Sequence, residues 1–181
     1  MRLLLVTLFV VFASTNGALP GLGAVTNIAN TVGSGLSSLS NIVVINGIIA
    51  TARTAAAPSL LILNGVDSTT TQKFISDVDV QIANIQEAVR STNTNPEEIN
   101  KLGGYIRQIG LLYHDYILAV GPQPGAQPAI QLLATTFVTA LQALDTALKA
   151  SGLPVNQQVF NEILVASLQT NALIAQIPKG V

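Results

Sequence analysis

The chain has 181 residues, of which only 9% are charged, and eight Lys and Arg residues face nine Asp and Glu residues. Soluble domains carry about 25% charged residues, so this surface must be built mainly from Ser, Thr, Asn and Gln. A formal net charge of −1 offers no basic surface, so nucleic acid is not expected as a partner. Because cysteine is absent, stability must come from an apolar core, a bound ligand or self-association.

Residues 1–17 are predicted to be a signal peptide. Met1 and Arg2 give a short positive start, and a nearly uninterrupted apolar run extends from Leu3 to Phe12. About ten apolar residues are too few to span a bilayer. Small residues follow, so cleavage is expected after Gly17, with cleavage after Ala13 as the alternative. The pattern predicts a secreted, extracellular protein, with association to a cell wall or matrix as one option.

Residues 18–66 form an amphipathic segment that is rich in Gly, Ser and Asn and contains no charged residue from Ala18 to Ala52. Glycines such as Gly33 and Gly35 each weaken a helix by about 1 kcal/mol, so a helix here needs an apolar partner. That partner is either the rest of the protein or an apolar surface outside it. The apolar residues that repeat at helical spacing are Val25, Ile28, Val32, Leu36, Leu39 and Val43.

The stretch from Ile48 to Leu63 has Arg53 as its only charge and Pro58 in its second half. Proline in a helix interior removes a backbone hydrogen bond and clashes with the preceding turn. We therefore expect Pro58 to break the chain here, which leaves a second short helix or an extended connector.

Residues 67–181 are predicted to form four further helices. The first follows a turn-like stretch at 64–67 and starts at Ser68 or Thr69, either of which can cap it. Its apolar residues step by four and three, which is the spacing of one helical stripe. They are Phe74, Val78, Ile82, Ile85 and Val89.

The clearest helix start is Asn95, because asparagine is a good N-cap and Pro96 suits the first helical position. Glu98 stands where the carboxylate of a capping box belongs. The stripe of this helix alternates steps of three and four until glycine and proline at 121–125 end it. It consists of Ile99, Leu102, Ile106, Ile109, Tyr113, Tyr116 and Val120.

The last two helices follow the same pattern, separated by the helix-ending residues 151–154. The stripe of the first comprises Ile130, Leu133, Phe137, Leu141, Leu144 and Leu148. The final helix, from about Val155 to Ile177, carries Phe160, Ile163, Leu164, Leu168, Ile174 and Ile177. Short loops between amphipathic helices imply antiparallel neighbours. The sequence therefore predicts an all-α, up-and-down bundle of about four to five amphipathic helices that forms one domain with residues 18–66.

No constellation of side chains indicates catalysis. His114 is the single histidine, and without cysteine the usual zinc ligand sets are excluded. Asp77 and Asp79 face different directions on a helix, and Glu97 with Glu98 is explained by the helix start. No serine lies in a Gly-x-Ser-x-Gly motif. We therefore predict a protein that is not an enzyme, with no catalytic residue, no metal site and no cofactor.

The predicted contacts are instead apolar, because amphipathic helices with uncharged polar faces bind by burying their apolar side chains. Gly103 and Gly110, seven residues apart, share a helix face, which favours close helix packing over space for an acyl chain. The candidate residues for a lipid, or for another apolar ligand or surface, are Val25, Ile28, Val32, Leu36, Leu39, Ile106, Ile109, Tyr113, Phe137 and Leu141.

The helices between Thr69 and Ile177 are rich in Ala, Leu, Thr and Gln, for instance over Phe137 to Leu148. In this the chain resembles the fungal hydrophobic-surface-binding proteins and cell-wall mannoproteins, which are small secreted helical bundles without enzymatic activity. The resemblance implies binding of fatty acids or of apolar surfaces. The glycine-rich stretch from Leu19 to Leu39 departs from the pattern of that family.

Two non-enzymatic functions follow from the sequence. The favoured one is a secreted carrier or surface-active protein that binds lipids or apolar surfaces through its amphipathic helices. The alternative is an extracellular structural or interaction protein, whose weakly charged surface promotes self-association. Co-purifying lipid would favour the first function, and concentration-dependent assembly without a ligand would favour the second.

Overall fold

The computed structural model describes residues 38–177, with side chains from residue 41 onward. The signal peptide predicted for residues 1–17 therefore lies outside the described residues. Five α-helices are present over residues 38–177, and no strand accompanies them, which confirms the predicted all-α bundle. The helices are α1 (Ser38–Val66), α2 (Ser68–Ser91), α3 (Leu102–Val120), α4 (Gln127–Ala150) and α5 (Gln157–Gln176), and a 3₁₀ helix at Pro96–Lys101 precedes α3.

Helix α1 is continuous over 29 residues, so the prediction that Pro58 breaks it is wrong. Proline in a helix interior costs about 3 kcal/mol relative to alanine. Burial along α1 offsets this cost, because Ile45, Ile48 and Leu63 are almost fully buried against the neighbouring helices. Tertiary packing thus overrides the local preference at Pro58.

The start of α2 is capped one residue earlier than predicted. Asp67, rather than Ser68 or Thr69, is the N-cap, and its Oδ1 accepts a hydrogen bond from the backbone N–H of Thr70 at 3.0 Å. That hydrogen bond is the main cause of a lowered pKa for the Asp67 carboxyl. An ionised aspartate is also favoured at this position because a helix N-terminus is partly positive.

The predicted helix start at Asn95 is confirmed, but the reciprocal half of the capping box is not formed. Oδ1 of Asn95 accepts a hydrogen bond from the backbone N–H of Glu97 at 3.2 Å, and Pro96 follows as the first helical residue. The backbone N–H of Asn95 donates to the carbonyl of Ser91 at 2.9 Å, so it is not available to Glu98. Asn95 therefore both closes the loop after α2 and starts the next helical segment.

The order of the helices around the bundle differs from their order in the chain. Helix α1 packs on α2 and α4, α3 packs on α2 and α5, and α4 packs on α5. Going around the bundle, the order is therefore α1, α2, α3, α5, α4. The prediction that helices joined by short loops are neighbours holds for α1–α2, α2–α3 and α4–α5. The turn after α3 instead leads across the bundle, so that α4 lies beside α1.

Helices α3 and α5 are parallel neighbours that approach each other closely at two glycines. A Cβ atom placed on Gly103 would lie 3.5 Å from Cα of Val159. A Cβ atom placed on Gly110 would lie 3.1 Å from Cβ of Ala166, which is closer than a comfortable carbon contact. The predicted packing role of the two glycines is confirmed, and the alternative of space for an acyl chain at this position is wrong.

The stripe predicted on α5 is partly wrong. Leu164 and Leu168 are 56% and 59% exposed, whereas Ala166 and Thr170 are buried together with the correctly predicted Ile163. Ala166 lies against Gly110 of α3, where the two helices approach each other closely. The residues that α5 turns inward thus depend partly on the shape of α3, which spacing alone could not reveal.

Two buried hydrogen bonds join residues that are distant in the chain. Asn41 on α1 donates from Nδ2 to the carbonyl oxygen of Ser151 at the end of α4, at 2.9 Å. The hydroxyl groups of Thr71 on α2 and Tyr116 on α3 lie 2.7 Å apart. Because buried polar groups are costly unless paired, these contacts fix the register between the helices they join.

Candidate apolar cavity

A cavity of about 200 Å³ lies between α1, α2, α3 and α4. Its aliphatic wall includes Ile48, Ile75, Ile82, Ile106, Ile109 and Leu141. A core cavity of roughly 150 Å³ in another protein accepts benzene, whereas sites for drug-sized ligands occupy about 300–1,000 Å³. The cavity therefore suits a small apolar molecule or one end of a hydrocarbon chain.

Small side chains form part of the cavity wall. Ala52 and Ala56, one helical turn apart on α1, and Ala140 on α4 all line the cavity. A leucine at any of these three positions would project into the space, so the alanines determine how much of the cavity is free.

Three aromatic rings stiffen one part of the wall. The rings of Tyr113 on α3 and Phe137 on α4 are stacked, with centroids 3.9 Å apart and planes at 11°. Phe74 on α2 meets Tyr113 edge-on at 5.0 Å and also stacks on Tyr116 at 4.1 Å. Such pairs contribute about 0.5–1.5 kcal/mol each beyond the burial of their area. They also join α3 to α4, two helices that otherwise have few contacts with each other.

Tyr113 is an aromatic residue of the cavity wall and is 8% exposed. Tyr116, which follows it on α3, has its hydroxyl 2.7 Å from that of Thr71. Burial raises the pKa of the Tyr113 phenol, so this group stays protonated.

The mouth of the cavity is marked by its two charged residues. Nη2 of Arg53 on α1 lies 2.6 Å from Oδ1 of Asp79 on α2, and their side chains are 51% and 44% exposed. Both residues contribute to the cavity wall. An ion pair this exposed contributes at most about 1 kcal/mol, so it can open without much loss of stability. The pair therefore forms a weak closure over an apolar interior.

Half of the residues predicted to contact an apolar ligand come together at this cavity. Ile106, Ile109 and Tyr113 on α3 and Phe137 and Leu141 on α4 all line it. The others belong to the amino-terminal segment. Val25, Ile28, Val32 and Leu36, together with the side chain of Leu39, lie outside the described residues.

The wall that α1 provides was not predicted, because Pro58 was expected to interrupt the helix. Ile48, Ala52, Ala56 and Leu60 all line the cavity. These four residues are spaced by four, so they form one stripe on a continuous helix. The four-residue spacing is present in the sequence. It was not recognised as one stripe because Pro58 was expected to break the helix.

Large apolar side chains are also exposed on the outside of the bundle. The α1 stretch Asn41–Val66 is long and apolar enough to cross a membrane by length and composition alone, and 22% of its most apolar window is buried. Core helices of soluble bundles pass the same test, so the feature by itself defines only an apolar surface. The exposed residues are Val43, Leu61, Ile62, Val80, Leu111, Leu118, Leu164, Val165 and Leu168.

Among residues 41–177, the charged residues that line the cavity are Arg53 and Asp79. His114 is partly exposed, and its Nδ1 lies 3.0 Å from Oδ1 of the adjacent Asp115. Within residues 41–177, no three His, Asp or Glu side chains are grouped so that they could hold a metal ion. The prediction that the protein is not an enzyme stays a prediction.

Fold and cavity together define a small all-α bundle with an apolar interior site. Comparisons of the chain with protein-family models, with curated proteins and with solved structures found no match. The resemblance to the fungal hydrophobic-surface-binding proteins and mannoproteins therefore stays a prediction, and function has to be argued from the cavity itself.

Proposed function

We propose that the protein is a non-enzymatic binding protein that holds a small apolar ligand, or one end of a lipid chain, between α1, α2, α3 and α4. The observation that carries this proposal is the 200 Å³ cavity, whose wall is apolar apart from a few side chains. The cavity is partly open to solvent, and its wall is mostly apolar. An apolar occupant would remove this wall from water, which is favourable.

The expected affinity is moderate. Transfer of one methylene group from water to an apolar site contributes about 0.8 kcal/mol, so a ligand with roughly ten carbon atoms gains about 8 kcal/mol. Loss of translational and rotational freedom on association subtracts several kcal/mol from this gain. Dissociation constants in the micromolar to millimolar range follow, which suits a carrier that must release its ligand.

The experiment that tests the proposal fills the cavity from α1. Ala52→Leu places a larger side chain in the free space, so it should weaken binding of small hydrocarbons at least tenfold. Ala50→Leu is the matched control, since Ala50 is exposed on the same helix and does not line the cavity. Calorimetric titration with a series of short alkylbenzenes measures both variants. Equal affinities for the two variants would show that the cavity is not the binding site.

A second function is supported by the exposed apolar residues on the outside of the bundle. Leu61 and Ile62, which are adjacent on α1, are 76% and 56% exposed, and apolar patches on a surface often mark contacts with other molecules. Self-association in an extracellular matrix would cover them. Sedimentation velocity of the wild type and of Leu61→Glu tests this function, because a concentration-dependent shift that is lost in the variant would support it.

We also propose that the protein is secreted, on the basis of the apolar run from Leu3 to Phe12 and the small residues that follow it. The test is to sequence the amino terminus of protein recovered from culture medium. A mature chain that starts at Ala18 or Ser14 supports secretion with cleavage, and a protein retained inside the cell contradicts it.

A further inference from the structure

The mouth of the cavity combines one positive and one negative side chain. We propose that the cavity binds a single-chain amphiphile with a neutral polar head, such as a medium-chain alcohol, whose hydrocarbon tail lies inside and whose head lies between Arg53 and Asp79. The inference deepens the proposed function and rests on it, because it names the class of ligand and the position of its polar group.

The cavity has a buried apolar end and a more exposed end that is charged. On α3 and α4, the lining residues Ile106 and Leu141 are 1% and 4% exposed. On α1 and α2, the side chains of Arg53 and Asp79 are 51% and 44% exposed, and Ile82, one helical turn after Asp79, is only partly buried. A hydrocarbon tail is therefore favoured between α3 and α4, whereas a polar head keeps its contact with water between α1 and α2.

Opposite charges at the mouth disfavour a head that carries a net charge. Nη2 of Arg53 lies 2.6 Å from Oδ1 of Asp79, so a head at the mouth lies near both charges. A carboxylate is attracted by the guanidinium but repelled by the aspartate, and an ammonium group meets the reverse. Partial burial also costs a charged head more hydration than it costs a hydroxyl group. A hydroxyl group can accept a hydrogen bond from the arginine and donate one to the aspartate, so it suits both side chains.

The volume of the cavity limits the length of the tail. A cavity of roughly 150 Å³ in another protein holds the six carbon atoms of benzene, so about 200 Å³ corresponds to roughly eight carbon atoms. Octan-1-ol, octanoate and octylammonium share a tail of this length and differ in the charge of the head at neutral pH. Comparison of the three molecules therefore isolates the effect of head-group charge.

Calorimetric titration of the full chain with each of these molecules, at neutral pH and low salt, tests the inference. Asp79→Asn and Arg53→Gln each remove one charge from the mouth. Asp145→Asn is the matched control, because Asp145 on α4 is paired with Lys149 at 2.6 Å and does not line the cavity. The measured quantity is the affinity for each charged molecule divided by that for octan-1-ol in the same protein, so a change in the apolar wall cancels. All variants should keep the helical circular dichroism of the wild type, since exposed ion pairs contribute little to stability.

We expect the wild type to bind octan-1-ol at least about fivefold more tightly than octanoate or octylammonium. Asp79→Asn removes the negative charge beside Arg53, so the relative affinity for octanoate should rise about fivefold, which is the effect of one unit charge about 4 Å away in water. Arg53→Gln should raise the relative affinity for octylammonium by a similar factor. Asp145→Asn should change neither ratio, and salt at about 1 M should reduce both gains because it screens exposed charges.

Three results would overturn the inference, and they are distinguishable. If octanoate or octylammonium binds the wild type as tightly as octan-1-ol, the mouth does not select a neutral head. If the alcohol is preferred but Asp79→Asn and Arg53→Gln leave both ratios unchanged, the head of the ligand does not lie between these two residues. If none of the three molecules binds the wild type, the proposed function fails together with the inference.

Discussion

The close contact between α3 and α5 makes a quantitative prediction about two glycines of α3. Replacement of glycine by alanine in a helix normally stabilises a protein by roughly 0.5–1 kcal/mol, because it restricts the unfolded chain. At Gly104, which is exposed and has no atom within 4 Å of an added Cβ, the whole of this gain should appear. At Gly110 the added Cβ would lie 3.1 Å from Cβ of Ala166.

The expected loss of unfolding free energy follows from a comparison of Gly110 with Gly104. Extra atoms in a well-packed interface cost typically about 1–3 kcal/mol. Gly110→Ala should therefore be less stable than Gly104→Ala by about 1–3 kcal/mol, and the helix-propensity gain cancels in this comparison. Relative to the wild type, Gly110→Ala should range from neutral to about 2.5 kcal/mol less stable.

Urea unfolding followed by far-UV circular dichroism measures the free energy of unfolding for each variant. A double-mutant cycle with Ala166→Gly adds a specific test, because removal of the opposing methyl group should relieve the strain of Gly110→Ala and give a coupling energy of about 1–3 kcal/mol. If Gly110→Ala is as stabilising as Gly104→Ala, and the cycle shows no coupling, the parallel packing of α3 on α5 is refuted.

Three further predictions concern the core, a buried hydrogen bond and pH. Leu141→Asp places a carboxylate at a 4% exposed position and should destabilise the bundle by several kcal/mol, seen as a large fall in the thermal midpoint. Asn41→Ala leaves the carbonyl of Ser151 unpaired and should lower the free energy of unfolding by about 1–3 kcal/mol in urea. Because the pKa of Asp67 is lowered in the folded state, its cap stabilises the protein above about pH 4, and this stability is lost as the pH falls through the folded-state pKa. Asp67→Asn keeps an oxygen acceptor and should remove that part of the pH dependence, as measured by thermal unfolding across acidic pH.

Each of these predictions can fail in a defined way. An unchanged midpoint for Leu141→Asp would mean that the α4 stripe is solvated. If Asn41→Ala is neutral, α1 and α4 are not joined at Ser151 as described. Identical pH profiles for the wild type and Asp67→Asn would show that the cap does not titrate with folding.

Much of the fold could be predicted from local signals. The spacing of apolar residues on α3 and α4 identified side chains that are buried, and the cap at Asn95 located the start of a helical segment. These features depend on the helical repeat and on backbone groups that each helix end leaves unpaired, so neighbouring residues contain the information. The same spacing also selected Ile106, Ile109 and Tyr113, because a cavity inside a bundle is necessarily lined by the inward stripes of its helices.

Local sequence patterns were enough to predict the helical class, the start of a helical segment at Asn95 and the apolar character of the interior. Packing between helices was needed to show that α1 continues through Pro58, that α5 turns Ala166 inward, and that α4 lies beside α1. The reason is that each of these outcomes depends on contacts between residues far apart in the chain. The free volume of the cavity is of the same kind, since it is the difference between the space that four helices enclose and the side chains that each contributes.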